Sequence, residues 1–521
     1  MMKKFLGASA IFAVSLSFNA NASDVNVEEV FKENCASCHG VNRFGAIGPA
    51  LLPENLKRLR KKSAISVIKN GRAATQMPAF EEQLNEAEIK ALVDFIYTPL
   101  GKLPTWDIDQ MKETHEVHVI PSRLPAKPVF DSDPLNLFTV VETGDHSVTI
   151  LDGDKFEPLW RFKSRFALHG GAKYSPDGRF VYLGSRDGWV SKYDLYTLQL
   201  VAEIRVAVNM RNIAVSSDGK WVIAGNYLPH SLVVLEAETL KPVKYIDVSD
   251  GKGNSSRVSA VYNAPPRQSF IAALKDMKEV WEITYDPDAD PKYGAFVHDY
   301  RGKEKEVEIT QTGTLSYKRI GLDDYLDDFF FDQDYINVFG ASRDGVHGVA
   351  YNLDAGKKIA NLDLAGMPHL GSGITWTYKG TPVMATPHLK EGKISVIDME
   401  SWNTIKVIKT KGPGFFMRSH ENTPYAWTDV FFGKDRDLLH IIDKRTLEIV
   451  KTINPQPGKT NAHVEFTRDG KYALVSVWDM DGALVVYDAE TFEEVKRIPM
   501  KKPVGKYNVW NKISYSAGTS H

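Results

Sequence analysis

One short unit recurs along most of the chain, and this repeat constrains the fold more than any other feature. In each clear copy a Ser or Thr is followed by one residue of any type, an Asp-Gly pair, a basic residue and an aromatic residue that begins an apolar run. The clear copies are residues 175–180, 216–221 and 467–472. An Asp-Gly pair between β-rich runs is a strong signal for a hairpin. The repeat therefore predicts a fold assembled from many similar antiparallel hairpins.

Weaker copies extend the repeat over the whole of residues 131–521. They begin near Asn136, Gln268, Tyr335, Thr381 and Thr423. The resulting eight units, at roughly 40–50 residues each, have the spacing of β-propeller blades. We therefore predict an all-β, eight-bladed β-propeller, since a closed ring of four-stranded sheets leaves little exposed edge. A seven-bladed ring is the alternative if the degenerate stretch 286–334 contains no blade.

A CxxCH motif lies near the N-terminus and includes the only two cysteines of the chain, Cys35 and Cys38, followed by His39. Two thiols at this spacing can bond to the two vinyl groups of one haem, and the adjacent imidazole then lies beneath the iron as an axial ligand. A structural disulfide is the alternative, although so short a loop stabilises a large domain poorly. The motif predicts a c-type cytochrome with one covalent haem c.

A methionine supplies the predicted second axial ligand. Met77 lies in the segment Gln-Met-Pro-Ala-Phe at residues 76–80, which resembles the methionine loop of small class I cytochromes c. A thioether favours reduced iron and raises its potential, as suits an electron acceptor; the alternative is a methionine that only fills the core. Apolar positions recur at helical spacing over residues 86–97. We expect a small all-α class I cytochrome c domain at residues 23–100 and a Pro-containing linker at residues 101–130.

The first 22 residues have the pattern of a secretory signal peptide. Lys3 and Lys4 precede an apolar run at residues 5–18, and Ala-Asn-Ala follows at residues 20–22. The run is too short to span a bilayer comfortably, which favours cleavage over an uncleaved anchor. No later segment has a membrane-spanning pattern, so we expect a periplasmic protein with no span in the mature chain. The 64 basic residues nearly balance the 66 acidic ones, which gives no electrostatic reason for a nucleic-acid partner.

Several histidines lie where the loops of one propeller face are predicted. That face carries the loops that lead into the innermost strands and the hairpins between the second and third strands of each blade. A single loop histidine is usually only a polar surface residue, but several around one channel mouth suggest iron ligation or proton transfer. Basic residues among them can bind carboxylates, arginine with two hydrogen bonds. The candidates are His169, His369, His420, His463, Lys173, Arg211 and Arg257.

A cytochrome c domain followed by an eight-bladed propeller resembles the cytochrome cd1 group, whose propeller holds a non-covalent haem d1 at its channel mouth. The resemblance covers nearly the whole mature chain. Within that group, four stretches are similar to the dihydro-haem d1 dehydrogenases, namely residues 168–178, 184–189, 418–422 and 504–512. These enzymes convert one propionate of dihydro-haem d1 to an acrylate, the last step in making haem d1. The resemblance implies the same reaction here, with electrons passing to haem c.

The resemblance also implies roles for single residues. His169 matches the proximal ligand of the d1 iron, and His369 matches a distal-pocket position, although the spacing around it differs from that of the reductases. His463 and Tyr507 match positions proposed for proton handling, and His420 occupies the region of the second distal histidine of the reductases. The implied partners are a soluble periplasmic electron acceptor, other haem d1 biosynthesis proteins and the nitrite reductase that receives haem d1.

Two other functions are compatible with these residues. A cytochrome cd1 nitrite reductase keeps haem d1 permanently and reduces nitrite to nitric oxide; its sequence around the proximal histidine reads differently from residues 169–173 of this chain. A haem d1 carrier or assembly protein without turnover is the second alternative, because binding residues and catalytic residues look alike in a sequence.

Overall fold

The computed structural model describes most of the chain after its first 24 residues. The described residues are 25–46, 48–57, 59–72, 77–168, 170–290, 292–293, 309–311, 313–342 and 347–514. The predicted signal peptide and His169 lie outside them. Among the described residues, no helix is both long and apolar enough to cross a membrane.

The N-terminal part is helical, as predicted. Its helices are α1 (Val27–Asn34), α2 (Ala36–His39), α3 (Pro53–Leu56), α4 (Lys61–Asn70) and α5 (Glu86–Ile96). Helix α5 begins at Asn85, whose side chain accepts hydrogen bonds from the first-turn amides, while Glu88 bonds back to the Asn85 amide. This reciprocal cap satisfies backbone donors that would otherwise be unpaired.

The apolar face of α5 forms the core of this helical domain. Ile89, Leu92, Val93 and Ile96 are all buried on it, and they pack with Phe31 of α1 in one cluster. Their spacing of three and four residues places them on one side of the helix, which explains why the sequence pattern predicted it.

The larger part of the chain forms eight four-stranded antiparallel sheets, numbered here as blades 1–8 in chain order. The first short strand, β1 (Glu116–Val117), adds to the outer edge of blade 2. Blade 1 contains β2 (Leu137–Glu142), β3 (Ser147–Asp152) and β4 (Pro158–Lys163), and blade 2 contains β5 (Lys173–Tyr174), β6 (Phe180–Gly184), β7 (Trp189–Asp194) and β8 (Gln199–Arg205). Blade 3 contains β9 (Asn209–Val215), β10 (Trp221–Leu228), β11 (Ser231–Glu236) and β12 (Pro242–Asp247). Blade 4 contains β13 (Val258–Ala264), β14 (Ser269–Leu274), β15 (Glu279–Thr284) and β18 (Tyr317–Gly321). Between the last two, β16 (Lys292–Tyr293) and β17 (Ile309–Gln311) form a separate two-stranded sheet.

The remaining four blades complete the ring. Blade 5 contains β19 (Leu326–Phe331), β20 (Asn337–Ser342), β21 (Gly348–Asn352) and β22 (Lys357–Leu362), and blade 6 contains β23 (Ile374–Tyr378), β24 (Thr381–Pro387), β25 (Lys393–Asp398) and β26 (Thr404–Lys409). Blade 7 contains β27 (Met417–Ser419), β28 (Tyr425–Asp429), β29 (Leu439–Asp443) and β30 (Glu448–Ile453). Blade 8 contains β31 (Asn461–Phe466), β32 (Tyr472–Val477), β33 (Gly482–Asp488) and β34 (Glu494–Met500). The eight-bladed prediction is confirmed. The seven-bladed alternative is wrong, because the degenerate stretch supplies the outer strand of blade 4 and the inner strand of blade 5.

The last strand of the chain closes the ring. Strand β35 (Pro503–Asn508) pairs antiparallel with β2, with Lys506 opposite Val140 and Tyr507 opposite Thr139. It therefore serves as the inner strand of blade 1, and the short helix α7 (Val509–Ile513) follows it. Because the two ends of the propeller chain share one sheet, neither end leaves an unpaired inner edge.

The repeated sequence unit has a local structural cause. In blade 2, Asp177 accepts a hydrogen bond from the Ser175 hydroxyl at 2.5 Å and another from the Arg179 amide at 3.1 Å. Gly178 adopts a φ of +75°, a conformation that costs glycine little. The same arrangement occurs at residues 216–221 and 467–472. Each copy is therefore the turn between the first and second strands of a blade.

The segment between the two domains is held against the propeller. Helix α6 (Ile108–Lys112) buries Met111 completely in the core of blades 2 and 3, and β1 pairs with the outer edge of β8. The indole of Trp106 donates a hydrogen bond to the Arg205 carbonyl at 2.9 Å. The predicted linker at residues 101–130 thus lies along the propeller surface.

Arg205 joins the helical domain to the propeller. Its Nε donates to the carbonyls of Asp187 at 2.9 Å and Ala207 at 3.2 Å, both in the propeller. Its Nη atoms donate to the carbonyls of Gly45, at 3.3 Å, and Phe44 in the helical domain. A small apolar cluster of Ala50, Leu52, Val208 and Leu228 covers the same contact. The helical domain therefore lies on the propeller face where the inner strands begin.

We predict that Arg205→Ala loosens this contact while both domains stay folded. Hydrogen bonds from a charged donor contribute about 1.5–3 kcal/mol each, so a loss of about 2 kcal/mol raises local opening roughly 30-fold. Hydrogen exchange measured by mass spectrometry is expected to accelerate at residues 43–46. Arg123→Ala, at an exposed position of the connecting segment, is the matched control. Unchanged exchange at residues 43–46 in the Arg205 variant would contradict the assignment.

Candidate functional site

The inner strands of the ring bring residues from distant parts of the chain to one central site. His463 lies in β31 and Tyr507 lies in β35, and their ring centroids are 5.3 Å apart. A methyl group added at Gly171, just before β5, would lie 3.1 Å from the Tyr507 ring. The structure therefore brings together the two residues that the resemblance assigns to proton handling, and places the loop of blade 2 beside them.

The imidazole of His463 is buried and has no hydrogen-bond partner among the residues that the structure describes. His463 is 1% exposed, and neither Nδ1 nor Nε2 bonds to any of those residues. Burial lowers the pKa of His463 well below its ordinary value, and the cations Lys506 and Arg418 lower it further. The imidazole is therefore neutral at pH 7 and has a free nitrogen that can accept a proton.

Tyr507 has the opposite protonation behaviour. Burial raises the pKa of Tyr507 to about 12, with Arg418 opposing the rise. Its backbone carbonyl accepts a hydrogen bond from the Tyr174 hydroxyl at 3.0 Å, which fixes this part of β35. At neutral pH the phenol keeps its proton, so the pair offers one proton acceptor and one proton donor side by side.

Three cations lie near this pair, Arg418 and Lys506, which are buried, and Lys512, which is half-buried. Arg418 donates from Nη1 to the Met417 carbonyl at 2.7 Å, while its Nε has no hydrogen-bond partner in the described part of the chain. Lys506 is fully buried and donates to the His463 carbonyl at 2.5 Å. Lys512 of α7 lies with Nζ 5.8 Å from the Tyr507 ring centroid. Burial, with Arg418 and Lys173, lowers the pKa of Lys512 to about 7.

Two fully buried carboxylates, Glu465 and Asp429, act on these cations. The Oε1 atom of Glu465 accepts hydrogen bonds from the side chain of Asn511 at 3.0 Å and from the Phe466 amide at 3.1 Å. Its Oε2 has no hydrogen-bond partner among the described residues. The cluster therefore holds more positive than negative charge, which favours binding of a ligand with several carboxylates.

Lys173 and Arg211 extend the positive charge across blades 2 and 3. Burial lowers the pKa of Lys173 to about 8, with Arg418 acting in the same direction and Asp328 opposing it. Arg211 donates from Nε to the Ser259 carbonyl at 2.7 Å. Tyr262 donates to Asp328 at 2.8 Å, and the Tyr262 ring lies 5.8 Å from the Lys173 ammonium. Lys173 and Arg211, two of the three predicted basic residues, thus belong to the central site.

His369 lies on the opposite wall of the site, among aromatic rings. Its Nδ1 bonds to the Phe415 carbonyl at 2.8 Å, and its ring lies 4.3 Å from that of Phe415. Since a carbonyl only accepts, Nδ1 carries the hydrogen, which leaves Nε2 free to bind iron or accept a proton. Burial lowers the pKa of His369, while the neighbouring charge of Asp328 opposes this shift and Arg211 adds to it.

Two of the predicted residues are not brought to this group. Arg257 forms an ion pair with Asp276, with Nη2 to Oδ1 at 2.6 Å. His420 follows β27, in the turn before β28, where its Nδ1 accepts from the Asn422 amide at 3.1 Å. Because an inner strand carries the chain from one propeller face to the other, His420 lies at the opposite end of β27 from Phe416.

Three functional candidates, Arg418, Lys506 and Lys512, were not predicted from the sequence, although all three lie in the stretches that carry the family resemblance. The sequence feature that could have indicated two of them is a charged residue within a mostly apolar strand. Arg418 and Lys506 are such residues, and a buried charge of this kind needs a specific partner or role.

The CxxCH motif has the geometry that a covalent haem requires. Cys35 and Cys38 are free thiols, and burial raises the pKa of the Cys35 thiol to about 11. His39 is buried, and its Nδ1 donates to the Pro49 carbonyl at 2.7 Å, which leaves Nε2 for a metal. Met77 packs against the same core cluster as Cys35. These residues fit a haem c.

Comparisons with known proteins agree with this geometry. A family model described as the cytochrome D1 heme domain matches residues 132–298 and 289–512. A second, described as cytochrome C oxidase, cbb3-type, subunit III, matches residues 23–96. The helical domain and the propeller therefore each have a counterpart among known families.

Curated and solved relatives cover nearly the whole chain. The dihydro-heme d1 dehydrogenase of Pseudomonas aeruginosa is 52% identical over 503 residues, which is 96% of this chain and 97% of that protein. The nitrite reductase of Stutzerimonas stutzeri is 24% identical over 98% of this chain and 96% of its own length. A solved structure of the dihydro-heme d1 dehydrogenase NirN in complex with DHE matches with a TM-score of 0.87 and 52% identity, covering 93% of this chain and 99% of that one. On these matches the chain belongs to the cytochrome d1 heme-domain family and, within it, to the group of the dihydro-heme d1 dehydrogenase.

Proposed function

We propose that this chain is a dihydro-haem d1 dehydrogenase, an oxidoreductase that completes the biosynthesis of haem d1. It converts one propionate of dihydro-haem d1 to an acrylate. The observation that carries the proposal is the neutral, buried His463 beside Tyr507 and near Arg418, Lys506 and Lys512. Neither of its ring nitrogens has a hydrogen-bond partner among the described residues. The relationship to the dihydro-heme d1 dehydrogenase, at 52% identity, supports the same substrate.

Desaturation removes two protons and two electrons from the two propionate carbons. His463 accepts the proton from the carbon beside the carboxylate, since its imidazole is neutral and has a free nitrogen. Tyr507, which keeps its proton at neutral pH, relays the second proton away from the site. Arg418, Lys512 and Lys173 bind the substrate carboxylates and hold the reacting propionate against His463.

Haem c, when bound, would supply the electron acceptor for this reaction. The Cys35 and Cys38 thiols would hold it covalently, and His39 and Met77 would bind its iron. Such a group takes one electron at a time, so a two-electron turnover would require a soluble periplasmic acceptor as well. His39 is held by the Pro49 carbonyl within the loop that Arg205 binds, which keeps its ring in a fixed place relative to the propeller.

The substrate iron is assigned to histidines on two sides of the site. His169 is the proposed proximal ligand, and Gly170 and Gly171 after it lie tightly against Asn212 and Tyr507. His369 is the proposed distal residue, since its Nδ1 is used in the bond to the Phe415 carbonyl and its Nε2 is left for iron or a proton. Arg211 adds positive charge on the wall of blade 3. His420 and Arg257 lie outside this set.

The proposed location is the periplasm, reached by a signal peptide at residues 1–22. The mature chain then has the cytochrome c domain at residues 23–100, the connecting segment at residues 101–130 and the d1-type propeller at residues 131–521. Such a protein would act in denitrification, receiving substrate from other haem d1 biosynthesis proteins and releasing product to the nitrite reductase.

The function is tested by an absorption spectrum of the purified, haem-c-loaded protein before and after addition of dihydro-haem d1 with an electron acceptor. Appearance of the haem d1 spectrum, with transient reduction of haem c, is the expected result. A protein that is purified with haem d1 and consumes nitrite would instead be a reductase. Binding of dihydro-haem d1 without conversion would identify a carrier.

His463→Ala is expected to bind dihydro-haem d1 but to lose most of its conversion. General-base catalysis typically contributes about 10²–10⁴-fold to a rate, so turnover should fall within that range while the dissociation constant changes little. His440→Ala is the matched control, since His440 is also buried but bonds to Thr452 and to the Lys411 amide in the outer part of blade 7. Turnover that is unchanged in the His463 variant removes this residue from the mechanism.

Binding of dihydro-haem d1 is expected to weaken as the pH rises through about 7. Lys512 carries its positive charge below that pH and loses it above, because its pKa is lowered to about 7. Loss of one charged hydrogen bond corresponds to about 1.5–3 kcal/mol, or roughly 10–100-fold in affinity. Absorption titrations from pH 6 to pH 8.5 would measure it. Lys512→Arg, which stays charged, should remove this step, and a pH profile identical to that of the unmodified protein would show that Lys512 is not its source.

A further inference from the structure

A single buried carboxylate, Asp429, lies at the centre of the hydrogen bonds that hold the site. Asp429 is the last residue of β28 and is 1% exposed. Its Oδ1 accepts from the backbone amides of Phe415 at 2.7 Å and Phe416 at 3.0 Å. Its Oδ2 accepts from the backbone amide of His463 at 3.2 Å. One side chain thus connects the loop before β27 with β31 of the next blade.

The Oδ1 side of this carboxylate leads to His369. The Phe415 amide bonds to Asp429, and the Phe415 carbonyl accepts the hydrogen of His369 Nδ1 at 2.8 Å. The Phe415 ring also packs on the imidazole, with centroids 4.3 Å apart. Asp429 therefore fixes the peptide unit that determines both the tautomer and the direction of the His369 ring.

The Oδ2 side leads to His463, whose backbone is irregular. The pairing of β31 with β32 skips this residue, because Ala462 pairs with Ser476 and Val464 pairs with Val475. His463 has a φ of +54°, in the left-handed region that a side chain with a Cβ rarely adopts. A residue at such a bulge lacks ladder hydrogen bonds and needs other partners.

Two buried charged side chains supply those partners. The His463 amide donates to Asp429, and the His463 carbonyl accepts from the Lys506 ammonium at 2.5 Å. The bulge turns the imidazole out of the sheet pattern and against Tyr507 and Phe416, at centroid distances of 5.3 Å and 4.9 Å. The strained conformation is therefore maintained by side chains from blade 7 and from the closing strand.

We propose that Asp429 is a positioning residue for the reaction, holding His369 and His463 in a fixed arrangement through the backbone of Phe415, Phe416 and His463. The proposal rests on the proposed dehydrogenase function. Asp429 acts through the backbone of these residues and does not touch the substrate. Its effect is therefore on the placement of the two imidazoles rather than on the binding of the substrate carboxylates.

Asp429→Asn tests this, with the unmodified protein assayed in parallel. Asparagine keeps the shape but places an amide N–H against a backbone donor on one side. Turnover is expected to fall on the order of 100-fold, the effect of a displacement of about 1 Å, while the dissociation constant of dihydro-haem d1 changes little. Asp443→Asn is the matched control, because Asp443 also ends a strand of blade 7 but bonds to Arg445 at the rim.

The outcomes separate this inference from the proposed function. If the unmodified protein does not convert dihydro-haem d1, the function fails. If it does, equal turnover in the Asp429 variant overturns the positioning role, and so does a loss of binding in proportion to the loss of turnover. In a double variant with His463→Ala, the Asp429 change is expected to cause a smaller loss than it does alone, because only its effect through His369 remains. Fully additive losses would overturn action through His463.

A measurement on the unmodified protein covers the case in which the Asp429 variant does not fold. The backbone amides of Phe415, Phe416 and His463 all donate to the side chain of Asp429 instead of to a neighbouring strand. Hydrogen exchange of peptides that contain them should be as slow as that of neighbouring strand amides. Rapid exchange at these amides would overturn the inference, since the bonds to Asp429 would then not persist in solution.

Discussion

Closure of the propeller ring by the last strand is the constraint on which the rest of the structure depends. The pairing of β35 with β2 makes the C-terminal end of the chain the inner strand of blade 1. That pairing brings Lys506 and Tyr507 next to His463, which precedes them by more than forty residues and belongs to blade 8. The site therefore exists only in the closed ring, because its proton acceptor and proton donor lie on opposite sides of the closure.

The second constraint is electrostatic. Arg418, Lys506 and Lys512 lie close together with Glu465 as a nearby buried counter-charge. Burying cations costs several kcal/mol for each ion that is not fully compensated, and the lowered pKa values of Lys512 and Lys173 express that cost. A ligand with several carboxylates offsets this cost by pairing with the cations. The site is therefore selective for such a ligand. The same cations keep His463 neutral, which links substrate binding to the protonation state that proton abstraction requires.

The two domains are connected through the loop that orients the haem ligand. Pro49 holds the His39 ring, and Arg205 binds the carbonyls of Phe44 and Gly45 in the same loop. The connecting segment also packs on blades 2 and 3 through Met111 and β1. The backbone of this one loop therefore both holds the helical domain on the propeller and orients the ring of His39. This gives the proposed electron transfer a fixed geometry rather than one that depends on diffusion of a tethered domain.

The features that could be predicted from the amino-acid sequence are those that depend on neighbouring residues. The CxxCH motif, the amphipathic α5 and the Asp-Gly turns are local, since thiol spacing, helical periodicity and turn hydrogen bonds need only a few adjacent residues. The number of blades followed from counting those turns. The resemblance also pointed to His463 and Tyr507, which the structure places side by side.

The meeting of the charged residues depends on the packing of the whole ring. Arg418, Lys506 and Lys512 converge because β27 and β35 both pack on β31 and α7 packs on β35, and no local pattern records that convergence. His420 lies away from His463 because β27 carries the chain to the other face before that residue, and Arg257 has Asp276 as its partner. The bulge at His463 and its support by Asp429 depend on contacts between blades 7 and 8 and the closing strand. Such contacts join residues far apart in the chain, and they are specified by the packing of the whole ring rather than by any single segment.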